Sequence, residues 1–312
     1  MTDNTNISTG LEPSNIAAEA LRAKAVYGVP ISVADGIDVL LADNSKDYTG
    51  PGTNTYLVGE DELWIIDPGP DDIDHVNLVV DAVAGRCVAG ILVTHSHLDH
   101  SPAAKQLQAR ISAPIYGRGG VSPELVAASD EDIDADFVPD HPLECGEILG
   151  EGEWRIQALH TPGHFPNHLC YQLPEKGILF SGDHVMGWST TVIAPPLGNL
   201  ADYFDSLDAM KQTGASILMP SHGDPVHDAC GRIEEVRAHR LMRQKQVEQL
   251  VREGVCDPAA IVETLYCKLP LRLIQAAEGC VQAHMDYYRE RRGLSILDNG
   301  NMAQKGGRSA FP

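Results

Sequence analysis

The chain has 312 residues, of which 43% are hydrophobic and 21% are charged, and its formal net charge is −21 at pH 7. This length provides for one large core and a smaller appendage, and no apolar run approaches the roughly 18 residues that a membrane span needs. The N-terminal residues lack the basic and apolar segments of a secretory signal, so we expect a cytoplasmic protein with no membrane partner.

The charge is unevenly distributed along the chain. Residues 228–312 carry 13 Lys and Arg against 11 Asp and Glu, whereas residues 1–227 carry 10 basic and 33 acidic residues. Nucleic-acid binding draws much of its affinity from neutralised phosphates, so an acidic first part disfavours a polyanionic partner. The composition therefore favours a small-molecule substrate over a nucleic acid.

Three regions follow one another along the chain. Residues 1–28 are rich in Asn, Thr, Ser and Ala, have few large apolar side chains, and are expected to form an N-terminal arm. Residues 29–227 combine short apolar runs with segments of helical spacing, as expected of a single catalytic domain. Residues 228–312 have helical spacing only, which predicts a C-terminal helical module.

The elements of the catalytic domain are predicted from these patterns. Strands are expected at 37–41, 54–58, 63–67, 90–94, 147–149, 154–159, 169–173, 177–180 and 216–219. Helices are expected at 74–84, 99–109 and 200–213, and in the C-terminal module at 233–253, 258–266 and 271–292. Strands flanked by helices at both ends of the domain suit an α/β fold of four layers, helix, sheet, sheet and helix.

A cluster of four ligand-type side chains follows the predicted strand at 90–94. His95, His97, Asp99 and His100 lie within six residues. Imidazole and carboxylate groups are ligands of borderline divalent metals, and four of them this close at a strand end have little structural use. Four such groups suffice to bind two metal ions.

The segment Thr94-His95-Ser96-His97-Leu98-Asp99-His100 resembles the His-x-His-x-Asp-His motif of the metallo-β-lactamase superfamily. The remaining elements of that family's pattern follow in order, each at a predicted strand end. They are Asp67 in Ile66-Asp67-Pro68-Gly69, His164 in Thr161-Pro162-Gly163-His164, Asp183 in Phe180-Ser181-Gly182-Asp183 and His222 in Pro220-Ser221-His222-Gly223. The resemblance covers roughly residues 31–225 and implies the four-layer αββα metallo-β-lactamase sandwich.

The resemblance also implies a ligand set for two divalent metal ions. His95, His97 and His164 would hold the first ion, Asp99, His100 and His222 the second, and Asp183 would bridge them. Asp67 would support the ligands from outside, and His168 is expected to do the same. Zinc is the first choice of metal, with iron or manganese as alternatives.

The implied mechanism is hydrolysis by a metal-bridging hydroxide. Two cations that share a water lower its pKa toward neutrality, and one of them stabilises the developing oxyanion. Asp99 is expected to act as a catalytic residue that orients the hydroxide or moves its proton. Trp188 lies in an apolar segment, 185–197, that follows Asp183, and we expect it to line the substrate cleft.

Three functions stay open at this point. The aspartate in the bridging slot resembles the hydroxyacylglutathione hydrolase branch, which implies a small ester, thioester, lactone or strained amide such as a β-lactam. The tail resembles the winged-helix-like module of lactamase-beta-like-2 proteins, some of which are single-strand endoribonucleases. Four basic residues along one predicted helix keep that alternative open, namely Arg237, Arg240, Arg243 and Lys245.

The third alternative is a non-hydrolytic metal-binding scaffold or redox protein, but no second cofactor domain is visible to support it. For the hydrolase, the C-terminal module is expected either to cover the cleft or to pair two copies as a homodimer.

Overall fold

The computed structural model describes residues 22–266 and 269–293. Most of the predicted N-terminal arm and the end of the predicted C-terminal module therefore lie outside the described residues.

Seven strands form the first sheet, and their order in the sheet follows the chain. They are β1 Ile31–Ala34, β2 Ile37–Leu41, β3 Asn54–Gly59, β4 Glu62–Ile66, β5 Cys87–Leu92, β6 Ile115–Gly117 and β7 His141–Pro142. Strands β1 to β4 are antiparallel, whereas β4 to β7 are parallel. Parallel neighbours need crossover connections. Helices α1 (Ile73–Val83), α2 (Ala103–Ile111) and α3 (Pro123–Ala127) lie in these connections.

Five strands form the second sheet, in the order β12, β11, β10, β9 and β8. They are β8 Ile148–Leu149, β9 Ile156–His160, β10 Leu169–Leu173, β11 Ile178–Gly182 and β12 Ile217–Pro220. Strands β11 and β12 are parallel, and helix α4 (Leu200–Gln212) lies in the connection between them. The other neighbours are antiparallel.

The two sheets pack face to face, and helices cover their outer faces. Because side chains alternate along a strand, Trp64 and Ile66 of β4 join the core between the sheets, while Ile65 joins the core under α1 and α2. Between the sheets, the rings of Tyr56 and Phe180 lie 5.1 Å apart, centroid to centroid, in an edge-to-face contact. Helix α4 packs on the outer face of the second sheet. The predicted four-layer arrangement is confirmed.

In the described part of the C-terminal region, 228–266 and 269–293, the α-helices are α5 Ala229–Arg252, α6 Pro258–Leu265 and α7 Ile274–Glu290. They share a small core of their own that includes Val247, Ile261 and Met285. Ile233 and Ala283 instead belong to the core on the outer face of the second sheet, so α5 and α7 are continuous with the catalytic domain. No helix among the described residues is long and apolar enough to cross a lipid bilayer.

One predicted helix begins later than expected. The apolar spacing predicts a helix at 99–109, but α2 begins at Ala103. Asp99 and His100 lie instead in a turn, in which the backbone N–H of Ser101 donates to the carbonyl of His97 and His100 Nδ1 bonds the carboxylate of Asp67. Contacts with distant residues thus override the local helical pattern around the cluster.

Candidate metal centre

The predicted ligands meet in loops that follow the C-terminal ends of strands from both sheets. The segment with His95 follows β5, His164 follows β9, Asp183 follows β11 directly, and His222 comes two residues after the end of β12. Asp67 follows β4 directly. The structure therefore brings together all seven residues predicted to bind metal, and their roles as ligands stay a prediction.

The first group consists of three imidazole rings. One nitrogen each from His95, His97 and His164 lies within 4.8 Å of the others. His95 Nε2 is only 2.8 Å from His97 Nδ1, so these two nitrogens face each other. Three histidines around one point form a donor set that zinc sites use.

The second group is more acidic. His100 Nε2 and His222 Nε2 each lie 3.3 Å from Asp99 Oδ2. Asp183 lies between the two groups, with Oδ2 3.6 Å from His100 Nε2 and 3.8 Å from His164 Nε2, and Oδ1 3.3 Å from His222 Nε2. The two oxygens of Asp183 together therefore face histidines of both groups.

Several atoms of this cluster are buried without a hydrogen-bond partner. They are His100 Nε2, His164 Nε2 and Asp183 Oδ1. Buried polar atoms almost always have a partner, and an exception calls for an explanation. Polar atoms that converge in a buried position without partners are typical of metal sites. The residues present therefore suit the two divalent metal ions that the sequence predicts.

Each of the five imidazole rings also uses its other nitrogen in a contact with oxygen. The pairs are His95 with Thr94 Oγ1, His97 with Glu131 Oε2, His100 with Asp67 Oδ2, His164 with Val192 O and His222 with Gly52 O. An N–H that donates to oxygen directs the opposite ring nitrogen into the cluster, and that nitrogen offers its lone pair to a metal ion when the ring is neutral.

The partners Glu131, Val192 and Gly52 were not identified from the sequence. Val192 and Gly52 contribute backbone carbonyl oxygens, which any residue type provides. Glu131 lies 34 residues from His97, in an acidic run that carries no recognisable motif. No local signal in the sequence distinguishes these three positions.

Asp67 is a fully buried acceptor beneath the ligands, with a relative exposure of 0%. It accepts hydrogen bonds from the backbone N–H and hydroxyl of Thr94 at 2.8 and 2.9 Å and from the hydroxyl of Ser221 at 2.6 Å. It also contacts His100 Nδ1 at 2.9 Å. Its φ of 51° lies in the left-handed region, which aspartate tolerates better than most residues. Asp67 therefore joins the ends of β4, β5 and β12 beneath the cluster.

His168 supports the backbone of Asp183. Its Nε2 accepts from the Asp183 N–H at 3.2 Å, while Nδ1 lies 2.8 Å from the hydroxyl of Thr161. Gly182 makes this contact feasible, because it has a φ of 54° and a Cβ there would lie 2.3 Å from His168 Nε2. His168 thus lies outside the cluster and behind Asp183, and its supporting role stays a prediction.

Trp188 is more buried than a residue that lines an open cleft, since only 9% of it is exposed. Its ring lies against Gly50, whose added Cβ would be 3.0 Å from the indole. The indole N–H is buried without a hydrogen-bond partner. Val185 and Ile193 of the same segment are also buried, in the core on the second sheet. Most of this apolar segment therefore packs inward, and contact between Trp188 and substrate stays a prediction.

The pKa shifts differ between the two groups of predicted ligands. Burial by itself would lower the pKa of His222, but the carboxylates of Asp183 and Asp99 raise it to about 10. Burial likewise opposes the ionisation of Asp99 and Asp183, yet the neighbouring imidazoles of His100 and His222 keep the pKa of both carboxyl groups well below the usual value. Two ionised carboxylates thus attract positive charge at this point, which divalent ions would supply in place of the imidazole protons.

The first group is different, because two of its rings, His95 and His164, favour the neutral form. Burial and the neighbouring histidines lower the pKa of His95 and of His164. Neutral imidazole is the form that binds a metal ion.

Comparison with known proteins identifies the family. Residues 48–222, more than half of the chain, match the family model described as the metallo-beta-lactamase superfamily. The chain belongs to the metallo-beta-lactamase superfamily. The predicted family is confirmed, and the shared fold accounts for the two packed sheets and the histidine-rich edge. Members of this superfamily are generally hydrolases.

Two curated relatives carry informative names. The atrochrysone carboxyl ACP thioesterase of Aspergillus chevalieri is 34% identical over 219 residues, which are 69% of this chain and 65% of the thioesterase. The beta-lactamase-like protein 2 homolog of Caenorhabditis elegans is 27% identical over 229 residues, 71% of this chain and 72% of the relative. The chain thus spans slightly less than two thirds of the length of the thioesterase.

A solved structure extends the likeness to the C-terminal helices. The beta-lactamase domain protein of Burkholderia ambifaria superposes with a TM-score of 0.71 at 25% identity and covers 87% of this chain and 91% of its own. Residues 1–227 alone cannot provide that coverage of a 312-residue chain. The similarity in fold therefore includes part of the helical region after the metallo-beta-lactamase domain.

Proposed function

We propose that the chain is a dinuclear-metal hydrolase of a small-molecule thioester or related ester. The observation that carries this proposal is the position of Asp183, whose two oxygens face histidines of both ligand groups. Two bound divalent ions would lower the pKa of a water shared between them and so supply a hydroxide nucleophile near neutral pH. His95, His97 and His164 would hold one ion, Asp99, His100 and His222 the other.

Asp99 is the protein group best placed to handle a proton. Its side chain is 26% exposed, compared with 12% for Asp183, so it is the more accessible of the two carboxylates. The hydroxyl of Thr53 donates to Asp99 Oδ2 at 3.4 Å, and His100 and His222 keep this carboxylate ionised. An ionised, accessible carboxylate can orient the attacking water and accept its proton.

The names of relatives favour a thioester within the wider class of small electrophiles. One relative is named as an acyl carrier protein thioesterase, and further thioesterases of the same name occur among the curated relatives. Hydrolysis of a thioester requires a nucleophile and stabilisation of one oxyanion, which a dinuclear centre provides. The acyl group and the thiol carrier of the substrate are not specified by this argument.

Helix α5 carries the basic residues that suggested endoribonuclease activity, and its arginines are largely engaged within the protein. Arg240 is buried and donates to the carbonyl of Thr191, so it faces the protein interior. Arg237 pairs with Asp208 at 2.8 Å, and the Arg243 guanidinium lies 4.5 Å from the centroid of the Tyr266 ring. Arginines engaged in this way contribute little to phosphate binding, which favours the small-molecule function.

Metal content is the first test of the proposed centre. We expect protein purified without chelator to contain close to two divalent ions per chain, with zinc dominant, in elemental analysis. Binding should release protons, because the pKa of His222 is about 10 without metal and the ring must lose its proton to bind. Metal affinity should therefore fall as the pH is lowered. Calorimetric titrations of metal-free protein in buffers of different ionisation enthalpy measure this release, and a stoichiometry near zero contradicts the proposal.

Substrate preference is the second test. A panel of an acyl N-acetylcysteamine thioester, the matching oxygen ester, a lactone, a β-lactam and single-stranded RNA should give its largest kcat/KM on the thioester. Activity should vanish after chelator treatment and return with added metal. Salt-sensitive cleavage of RNA without thioester turnover would instead establish the endoribonuclease alternative. Metal binding without turnover of any substrate would favour the non-hydrolytic scaffold.

A further inference from the structure

A loop that follows Asp183 orients one of the predicted ligands. We call residues 185–194 the ligand loop. Its Val192 carbonyl lies 2.7 Å from His164 Nδ1, and its Thr191 hydroxyl lies 3.1 Å from the same nitrogen. Nδ1 therefore carries the proton and donates to the loop, which leaves Nε2 facing Asp183 with its lone pair.

The ligand loop has no helix or strand of its own, so its backbone groups need partners from elsewhere. Two arginines of α5 provide them. Arg232 donates from Nε to the carbonyl of Met186 and from Nη2 to the carbonyl of Ser189, both at 2.8 Å. Arg240, two helical turns further along, donates from Nη2 to the carbonyl of Thr191. The loop is thus fixed at three carbonyls by one helix.

Helix α7 holds the other end of the ligand loop. The backbone N–H of Ile193 donates to Cys280 Sγ at 3.5 Å. Gly279 lies so close that an added Cβ would be 2.7 Å from the Cβ of Ala194. The loop is therefore enclosed between the second sheet and two helices of the C-terminal region.

Both arginines are buried, with relative exposures of 8% for Arg232 and 4% for Arg240. Arg232 has a carboxylate partner, Glu235, at 2.8 Å, whereas Arg240 lies over the ring of Tyr203 at 5.6 Å. Burial of a guanidinium carries a large desolvation cost, and apolar side chains of similar volume often stabilise a fold equally well. Their use here is better explained by the defined position that they impose on the loop.

We propose that Arg240, assisted by Arg232, is a positioning residue for the metal centre. It holds Thr191 and Val192 so that the His164 ring keeps Nε2 directed at Asp183. The C-terminal helices are then part of the catalytic architecture. This inference rests on the proposed function only in so far as His164 binds a metal ion.

The test is a Co²⁺ titration of chelator-treated protein, read by visible absorption and by competition with a chromophoric chelator. In Arg240→Met, one of the two binding steps should weaken by up to about 10- to 100-fold, the effect of losing the direct partner of a metal ligand, because Arg240 acts on His164 only through Thr191 and Val192. The other step should keep its wild-type affinity. The visible absorption spectrum of the more weakly bound Co²⁺ ion should also change shape. A general loss of protein stability does not cause such a change. Arg240→Lys retains a donor and should restore most of the affinity.

Arg237→Met is the matched control, because Arg237 lies one turn away on α5 and contacts α4 at Asp208 and Phe204. It should bind both equivalents as the wild type does. Wild-type affinity for both ions in Arg240→Met overturns the inference, as does an equal weakening of both steps that accompanies a lower melting temperature. If Arg240→Met does not fold, Arg240→Gln, which keeps a shorter polar side chain, takes its place, and wild-type affinity for both ions in that variant overturns the inference.

The outcomes separate the two proposals. If the wild-type protein binds no Co²⁺, the proposed metal centre and the positioning role fail together. If the wild type binds two ions and hydrolyses thioesters while Arg240→Met binds both equally well, only the positioning role fails.

Discussion

Replacement of Asp183 by asparagine is expected to lower kcat/KM for a thioester substrate by about three orders of magnitude. The variant keeps the shape of the side chain but removes the charge that faces His100, His164 and His222 at 3.3 to 3.8 Å. A metal centre contributes several kcal/mol to transition-state stabilisation, and each loss of about 1.4 kcal/mol is a tenfold loss in rate. Elemental analysis should find fewer than two ions per chain.

The fold should survive this replacement, because the Asp183 backbone N–H still donates to His168. Asp205→Asn is the matched control, since Asp205 is an exposed residue on α4 away from the cluster. It should retain full activity and metal content. An Asp183→Asn enzyme with wild-type kcat/KM and two bound ions would show that this carboxylate does not bridge them.

Replacement of Asp67 by alanine is expected to lower the free energy of unfolding by about 3–5 kcal/mol, the typical cost of removing one partner from a buried ionic network. Three donors would lose their acceptor, namely the Thr94 backbone N–H, the Thr94 hydroxyl and the Ser221 hydroxyl, and His100 Nδ1 would lose its carboxylate. Alanine also tolerates the left-handed φ of 51° less well than aspartate does.

Asp67→Asn should be destabilised less, because asparagine tolerates the left-handed region and keeps one oxygen for the Thr94 N–H. Asp61→Ala, in the exposed turn between β3 and β4, serves as the control and should change stability by less than about 0.5 kcal/mol. Urea denaturation of the metal-free proteins measures these differences without a contribution from bound ions. Equal stability of Asp67→Ala and Asp61→Ala would show that Asp67 is no structural hub.

The pattern of apolar residues was a good guide to the long elements and an uneven one to the short ones, of which the two-residue strand β8 was predicted. The central strands of both sheets and the helices of the C-terminal region occur close to their predicted positions. Strands β1, β6 and β7 and helix α3 were not predicted, and they have only four, three, two and five residues. Segments this short do not complete a periodic pattern, so their structure depends on the neighbours against which they pack.

The basic residues of α5 show a second limit of the sequence. Four basic residues along this predicted helix kept an RNA-binding function open, but the structure places Arg240 in the protein interior with its guanidinium on the carbonyl of Thr191. A charge that is read from sequence carries no information on burial. Only the packing of α5 against the second sheet and the ligand loop decides that this arginine is internal.

The sequence by itself determined which chemistry the chain can support. Each predicted ligand is a histidine or aspartate in a loop that follows a strand, and both the side-chain type and the apolar run of the strand can be read locally from the sequence. The tertiary structure decided how those ligands are held. The partners of His164 and His222 are backbone carbonyls 28 and 170 residues away, and those of His97 and His100 are carboxylates 34 and 33 residues away. Of these four partners only Asp67 was predicted from its motif. The two backbone oxygens have no residue type to mark them in advance, and Glu131 stands in no motif, so these three contacts follow only from the tertiary packing.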